Sequence, residues 1–138
     1  LTIEGYDLIR QGETVLCAVS GGPDSVALLH ILKDLNEVQQ LNWKIQIAHV
    51  NHGVRGKACD DDEEFVRELA GKLKLPFHAT KVDVKAHQMS EKMTMEEAGR
   101  ELRHDFLELK AIEIGAQKIA MAHSLDDQSE TILHRILR

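Results

Sequence analysis

Val15-Leu-Cys-Ala-Val-Ser20-Gly21-Gly22-Pro23-Asp24-Ser25 joins an apolar run of strand length to a turn, and apolar residues then return at helical spacing as Leu28, Ile31, Leu32 and Leu35. That order predicts strand, tight turn and helix. Gly21 and Gly22 allow positive φ and let a ligand approach the backbone with no Cβ in the way. Pro23 suits the first helical position, where its missing N–H costs nothing. The free N–H groups of the first turn, with about half a positive charge from the helix dipole, face whatever lies above the strand. The expected occupant is an anion, above all a phosphate. Ser20 and Ser25 add hydroxyl donors, and Asp24 adds a carboxylate of the kind that holds magnesium. A ligand-free glycine turn would show the same order, so this stretch alone leaves both readings open. Neither a Gly-x4-Gly-Lys-[Ser/Thr] nor a Gly-x-Gly-x-x-Gly pattern occurs.

Outward from this stretch, strands and helices alternate. Residues 43–50, 77–84 and 118–122 read as further strands. A helix is expected from the acidic run at 60–64 to about Lys74, with Phe65, Val66, Leu69 and Leu73 on its inner face, preceded by a loop over 51–62. The acids need no role beyond favouring a helix N-terminus. Residues 85–93 are polar and aperiodic and read as a loop. Thr94-Met-Glu-Glu97 is a capping box opening a long helix, whose apolar face is read as Ala98, Leu102, Phe106, Leu109 and Ile112 and whose end is Gly115. Residues 1–13 suggest a lead-in helix closed by Gly12, and 126–138 a final helix. The expected fold is α/β: a Rossmann-like, three-layer α/β/α domain with a mostly parallel sheet. A single domain over 1–138 fits the length.

Apolar residues make up 43% and charged residues 29% of the 138, a globular balance. No apolar run approaches the roughly 20 residues of a membrane span, and no signal peptide opens the chain, so no membrane role is expected. With only Cys17 and Cys59, a disulfide scaffold is excluded and a reducing, cytoplasmic setting fits. The net charge of −6 argues against this segment alone gripping RNA, since a nucleic-acid backbone rewards Lys and Arg.

In such sheets ligands bind beyond the carboxyl ends of the strands, where strand order reverses. The informative positions are therefore 20–25, 48–55, the segment after Val84, and 123–127. The run after the fourth strand, His123-Ser-Leu-Asp126-Asp127-Gln-Ser-Glu130-Thr131, reads either as a capped helix start or as carboxylates that complete a magnesium site with Asp24. Zinc on His123 would lack further ligands at recognisable spacing. His49 and His52 make a weak metal pair.

Four ordered motifs now stand together: Ser20–Ser25; Ala48-His49-Val-Asn51-His52-x-x-Arg55; Glu96-x-Ala98-x-Arg100-x-x-Arg103; and Ala122-His123-x-x-Asp126-Asp127-Gln128-x-Glu130-Thr131. The chain resembles the PP-loop ATP pyrophosphatases, and among them the tRNA(Ile)-lysidine synthase family. The resemblance implies an adenine nucleotide alpha hydrolase-like fold that uses ATP and Mg2+. By that resemblance Ser20, Gly21, Gly22, Pro23, Asp24 and Ser25 hold the phosphates, and Ala48 and His49 lie near adenine and ribose. Arg100, Arg103 and His123 face the nucleotide, and Asp24 and Asp127 hold magnesium. The residues implied to be catalytic are Asp24, Arg103 and Asp127. Two departures stand out. Ser124 replaces a second His, and Gly99 replaces the usual Ala at a helix cost of about 1 kcal/mol. The family continues past the position of Arg138 into tRNA-binding domains, so the chain is expected to be the N-terminal catalytic domain.

In the reaction so implied, the carbonyl oxygen at carbon 2 of the wobble cytidine of an isoleucine tRNA with a CAU anticodon attacks the α-phosphate of ATP and expels pyrophosphate. Free lysine then displaces AMP and leaves lysidine. The alternatives are another enzyme of the group, a tRNA thiolase or an amidating synthetase, and a nucleotide-binding module without catalysis. The thiolases usually carry a Cys-x-x-Cys pair, which is missing from these residues.

Overall fold

The structure is a computed structural model, which describes residues 2–3, 9–53, 57–122 and 130–135, with side chains over 9–53 and 60–122. The elements in chain order are β1 (Thr2–Ile3), β2 (Thr14–Ala18), α1 (Pro23–Gln39), β3 (Lys44–Asn51), α2 (Lys57–Leu73), β4 (Phe77–Lys81), α3 (Val84–Glu91), α4 (Met95–Ile114), β5 (Lys118–Ala122) and β6 (Glu130–Arg135). They form one six-stranded sheet in the order β1-β6-β5-β2-β3-β4. β2 runs parallel to both its neighbours, with Cys17 opposite Ile47 on one side and Ala120 on the other. β3 and β4 are also parallel, whereas β6 turns back against β5 and β1 runs parallel to β6. The α/β class and mostly parallel sheet are as expected.

β2 reads as a continuous apolar run because it is buried on both faces. Val15, Cys17 and Val19 enter a core with Leu28, Leu29 and Leu32 of α1 and Val66 and Ala70 of α2. Leu16 enters a second core on the opposite face, with Leu107 and Ala111 of α4, Ala48, Ile119 and Met121. Cys17 is fully buried and its thiol is pushed up to about 12 by burial alone, so it is an inert core residue. The chain passes from β2 through β3 to β4 on one side and then returns to β5 on the other. The end of β2 is therefore the point where strand order reverses. No helix among the described residues is long and apolar enough to cross a membrane.

Several local expectations are corrected. Residues 130–135 form a strand rather than part of a final helix, in register from Lys118↔Arg135 to Ala122↔Thr131. This pairing satisfies backbone groups along the edge of β5, which a helix could not do. The rest of that expected helix lies outside the described residues. Thr2 and Ile3 pair with Glu130 and Thr131 instead of opening a lead-in helix, and residues 4–8 lie outside the described set. The stretch 85–93 is mostly α3 rather than loop. The Asp83 side chain accepts from Ala86 N at 2.9 Å, and Lys92 closes the helix in the left-handed conformation, so the ends are capped although the middle has no apolar period. α2 begins at Lys57, inside the expected loop, and turns Val66 and Ala70 inward while Phe65 is 48% exposed. α4 has its capping box, with Thr94 and Glu97 bonded both ways. Its inner stripe, however, is Ala98, Gly99, Leu107 and Ala111, which leaves Leu109 and Ile112 exposed.

Candidate active site

Where β2 ends, the backbone turns through Gly21 at φ +99°, a conformation that a side chain would strain. Gly22 is the N-cap of α1 and makes no side-chain capping bond, with Pro23 next. The first-turn donors of α1 are thus not claimed by a capping side chain, as an anion cradle requires. Two serines hold the turn in shape. Ser20 N donates to Ser25 Oγ at 3.1 Å, the two hydroxyls lie 3.1 Å apart, Ser25 Oγ donates to Gly22 O at 3.0 Å and Gly22 N donates to Ser20 Oγ at 3.3 Å.

Above the strand ends lies a cavity of about 200 Å³. Its apolar wall includes Ala18, Ala48, Val50, Leu107 and Met121, and its polar wall Ser20, Ser25, His49, Asn51, His52, Asp62 and Arg103. His49 is buried, and its Nδ1 lies 2.8 Å from Val19 O. A carbonyl can only accept, so Nδ1 carries the proton and Nε2 is the nitrogen available to a ligand. Asn51, 2% exposed, ties the end of β3 to α2. Its Nδ2 donates to Asp60 at 2.8 Å and to Glu63 at 3.3 Å, and its Oδ1 accepts from Gly53 N at 2.9 Å. That tie sets α2 so that the Asp62 side chain lies 3.5 Å from where a Cβ on Gly21 would stand. His52 is half-buried, and its pKa is held below the ordinary 6.5 by burial first and then by the charges of Arg103 and His49.

The structure brings Ser20, Ser25, Ala48, His49 and Arg103 to one cavity, as the motifs imply. Gly21, Gly22 and Pro23 shape the turn beneath it. Asp24 sits half-buried on the first turn of α1, outside the cavity lining. Arg100 does not face the site, and that expectation is corrected. It is exposed, and its guanidinium pairs with Glu96 at 3.1 Å. Three residues along a helix leave two side chains about 60° apart, and α4 spends its inward face on Gly99, Arg103 and Leu107. His123 and Asp127 lie outside the described residues. Sequence reasoning missed Asp62, which nothing distinguishes within a run of five acids until α2 is placed. It also gave no role to Asn51 and weighed His52 only as half of a weak metal pair, although both stand inside a quoted motif.

Comparison with known proteins extends the geometry. The PP-loop domain family matches residues 4–138. The tRNA(Ile)-lysidine synthase of Clostridium acetobutylicum is 46% identical over 137 residues, covering 99% of this chain and 29% of that protein. The tRNA(Ile)-lysidine synthase of Petrotoga mobilis is 41% identical over 136 residues, covering 99% of this chain and 43% of that protein. The chain therefore spans less than half the length of these relatives. Among solved structures, the U34-tRNA thiolase NcsA from Methanococcus maripaludis, with its [4Fe-4S] cluster, superposes with a TM-score of 0.70 at 21% identity, over 89% of this chain and 42% of that one. That likeness concerns the fold. A match over nearly every residue, on a sheet whose reversal point carries the glycine–serine turn, shows that the chain belongs to the PP-loop domain family.

Proposed function

We propose that the chain is the ATP-using catalytic domain of a tRNA(Ile)-lysidine synthase, with tRNA-binding domains elsewhere in the protein. On this reading it activates the wobble cytidine of the CAU isoleucine tRNA with ATP, and free lysine completes the ligation. The observation that carries the reading is Arg103, delivered by α4 into the same cavity as the Ser20–Ser25 turn, in a chain so similar to lysidine synthases. The cavity volume of about 200 Å³ is below the roughly 300–1,000 Å³ of a whole-ligand pocket. It suits the base end of a nucleotide between Ala48, Leu107 and Met121, with the phosphates over the more open turn.

The residues then divide the work. The first-turn N–H groups of α1 and the Ser20 hydroxyl bind phosphate oxygens and fix their direction, and the Ser25 hydroxyl joins them by turning its proton from Gly22 O to the ligand. His49 offers Nε2 to the nucleoside while Val19 holds its ring. Arg103 neutralises charge that grows on the α-phosphate as the cytidine oxygen attacks and pyrophosphate leaves. For magnesium, Asp24 is a hard anionic donor beside the turn, and Asp127 is the proposed second carboxylate. Among the described residues no group of three or more His, Cys, Asp or Glu is placed to hold a metal. Asp24 and Asp127 would hold the ion together with water and the nucleotide's own phosphates. Magnesium so bound supplies charge neutralisation at the phosphates.

The test is to incubate the full-length protein with ATP, magnesium, lysine and the CAU isoleucine tRNA, then analyse the nucleosides. Lysidine is expected. A thiolated base would transfer the domain to the thiolases, and an unmodified tRNA despite ATP binding would make it a binding module.

A further inference from the structure

Most of the acidic run at 60–64 is paired within the protein. Asp60 accepts from Asn51 Nδ2 at 2.8 Å and lies 3.8 Å from Lys81 Nζ. Glu63 accepts from Asn51 at 3.3 Å and from Arg67 at 3.0 Å, and Glu64 lies 3.6 Å from the same guanidinium. Asp62 makes no such pair among the described residues, and it is the only carboxylate among them that lines the cavity. Its place is set by the turn. Gly21 has no side chain, and a Cβ there would meet Asp62 Cβ at 3.5 Å and its Cγ and Oδ1 at 3.7 Å. These are ordinary contact distances, so the carboxylate lies beside the phosphate turn. Asn51, buried, grips Asp60 and Glu63 on either side of Asp62 and keeps α2 in that position.

A carboxylate there opposes what the turn is shaped to do. The first-turn N–H groups of α1 attract an anion, whereas a full negative charge a few ångströms away repels a bare triphosphate. Solvent weakens that repulsion without removing it, because the separation is well inside the roughly 8–10 Å over which salt screens charges. The conflict disappears when the triphosphate arrives with a cation. Magnesium keeps several waters and binds phosphate oxygens alongside few carboxylates, so a hydrated ion on the phosphates finds in Asp62 a hard anionic neighbour. One side chain thus opposes the free nucleotide and accepts its magnesium complex.

We propose that Asp62 is a specificity-determining residue: standing beside Gly21, it makes the cavity take nucleotide that carries its divalent cation and turn away nucleotide that does not. It forms no bond in the reaction, and the roles proposed for Asp24 and Asp127 do not depend on it. The proposal rests on the cavity being the nucleotide site described above, and it identifies which form of the nucleotide is admitted and which side chain decides.

The experiment is calorimetric titration of the full-length protein with ATP, once in excess magnesium and once in chelator, for the native protein, Asp62→Asn, Asp62→Glu and Asp61→Asn. Asp62→Asn keeps the shape and removes the charge. Metal-free ATP should bind it about fivefold more tightly, the scale of one charge pair at close range in water, while the magnesium complex stays within about twofold. Asp62→Glu keeps the charge and should keep the native preference. Asp61 is exposed and belongs to the same run but does not line the cavity. Asp61→Asn should therefore shift both affinities by less than about twofold, since it removes the same net charge away from the turn.

An unchanged preference for the magnesium complex in Asp62→Asn would overturn the proposal. So would equal shifts in Asp61→Asn and Asp62→Asn, which would make the effect one of net charge and not of position. Weaker binding of lysine in Asp62→Asn with the nucleotide preference intact would overturn it too, and would assign the carboxylate to the amine. The two readings fail separately. A protein that makes no lysidine yet loses its preference in Asp62→Asn loses the reaction assignment and keeps the role of Asp62. A protein that makes lysidine with the preference intact in Asp62→Asn loses that role and keeps the reaction. One that binds ATP in neither form loses both.

Discussion

At the amino end of the central sheet, Thr14 N donates to Gln117 Oε1 at 2.8 Å and Gln117 N returns a bond to Thr14 O at 3.0 Å. Beside them Lys118 Nζ reaches both oxygens of Glu13, at 2.9 and 3.1 Å, with the two side chains only 8% and 16% exposed. At the carboxyl end of the same strands the polar groups behave otherwise. Ser25, His49, His52 and Arg103 line one cavity, and Ser25 and His49 are tied to the turn and to Val19 O from behind. Both ends bury charge or hydrogen-bonding capacity, which costs free energy unless it is matched. The amino end matches it within the protein and gains rigidity. The carboxyl end leaves polar groups along an open cavity, which is where the proposed nucleotide site lies.

That contrast makes separable predictions. The largest effect belongs to the carboxyl end. Arg103→Ala should lower lysidine formation about 10³-fold, the scale of an arginine that neutralises phosphoryl charge. ATP affinity, measured by calorimetry, should fall less than tenfold, and a loss wholly in binding would make Arg103 a ground-state ligand. Next comes the amino end. Lys118→Met leaves the part-buried Glu13 carboxylate without its cation, though still bonded to the Arg10 backbone N–H, and should cost about 1–2 kcal/mol in urea unfolding, with nucleotide affinity unchanged. Adding Glu13→Gln should recover most of that loss. If Lys118→Met weakened nucleotide binding as strongly as it weakened the fold, the two ends would not be independent.

Smaller effects appear in the pH dependence. Burial pushes the Glu13 carboxyl up, but the Arg10 backbone N–H and Lys118 outweigh it and hold it below its ordinary 4.5. A depressed carboxyl contributes stability that is complete above that value and lost as the pH falls through the folded-state value. The stability difference between the native protein and Glu13→Gln should therefore shrink as the pH falls below 4.5 and vanish below the folded-state value. The smallest effect is at His52. Its pKa is depressed chiefly by burial, so protonation opposes folding and stability should decline as the pH drops below 6.5. His52→Asn should flatten part of that decline. His78 keeps the rest, since burial and then Lys110 depress it too. An unchanged slope in His52→Asn would mean that His52 titrates alike folded and unfolded.

The amino acid sequence by itself determined the order of strand, turn and helix, the parallel sheet and the place of the ligand turn. Those features follow from local causes: an apolar run with no polar break, glycines and a proline at the bend, and a capping box at Thr94. It also determined which motifs lie at strand ends, because any parallel strand must finish on the same edge. Tertiary structure decided which side of each helix faces inward. Arg100 and Arg103 are three residues apart and look equivalent, yet Leu107 and Ala111 anchor α4 in a rotation that admits only Arg103. Phe65 looked like a core residue, but Val66 and Ala70 fit the space that α1 leaves. Asp62 was one acid among five until Asn51 fixed α2 against the turn. Edge pairing likewise turned residues 130–135 from helix to strand, since hydrogen-bonding demand on the edge of β5 depends on strand order and not on neighbouring residues in the chain. Periodicity along a chain records that a face is buried; the partner that buries it, and thus the angle at which each side chain arrives, exists only once the layers have packed.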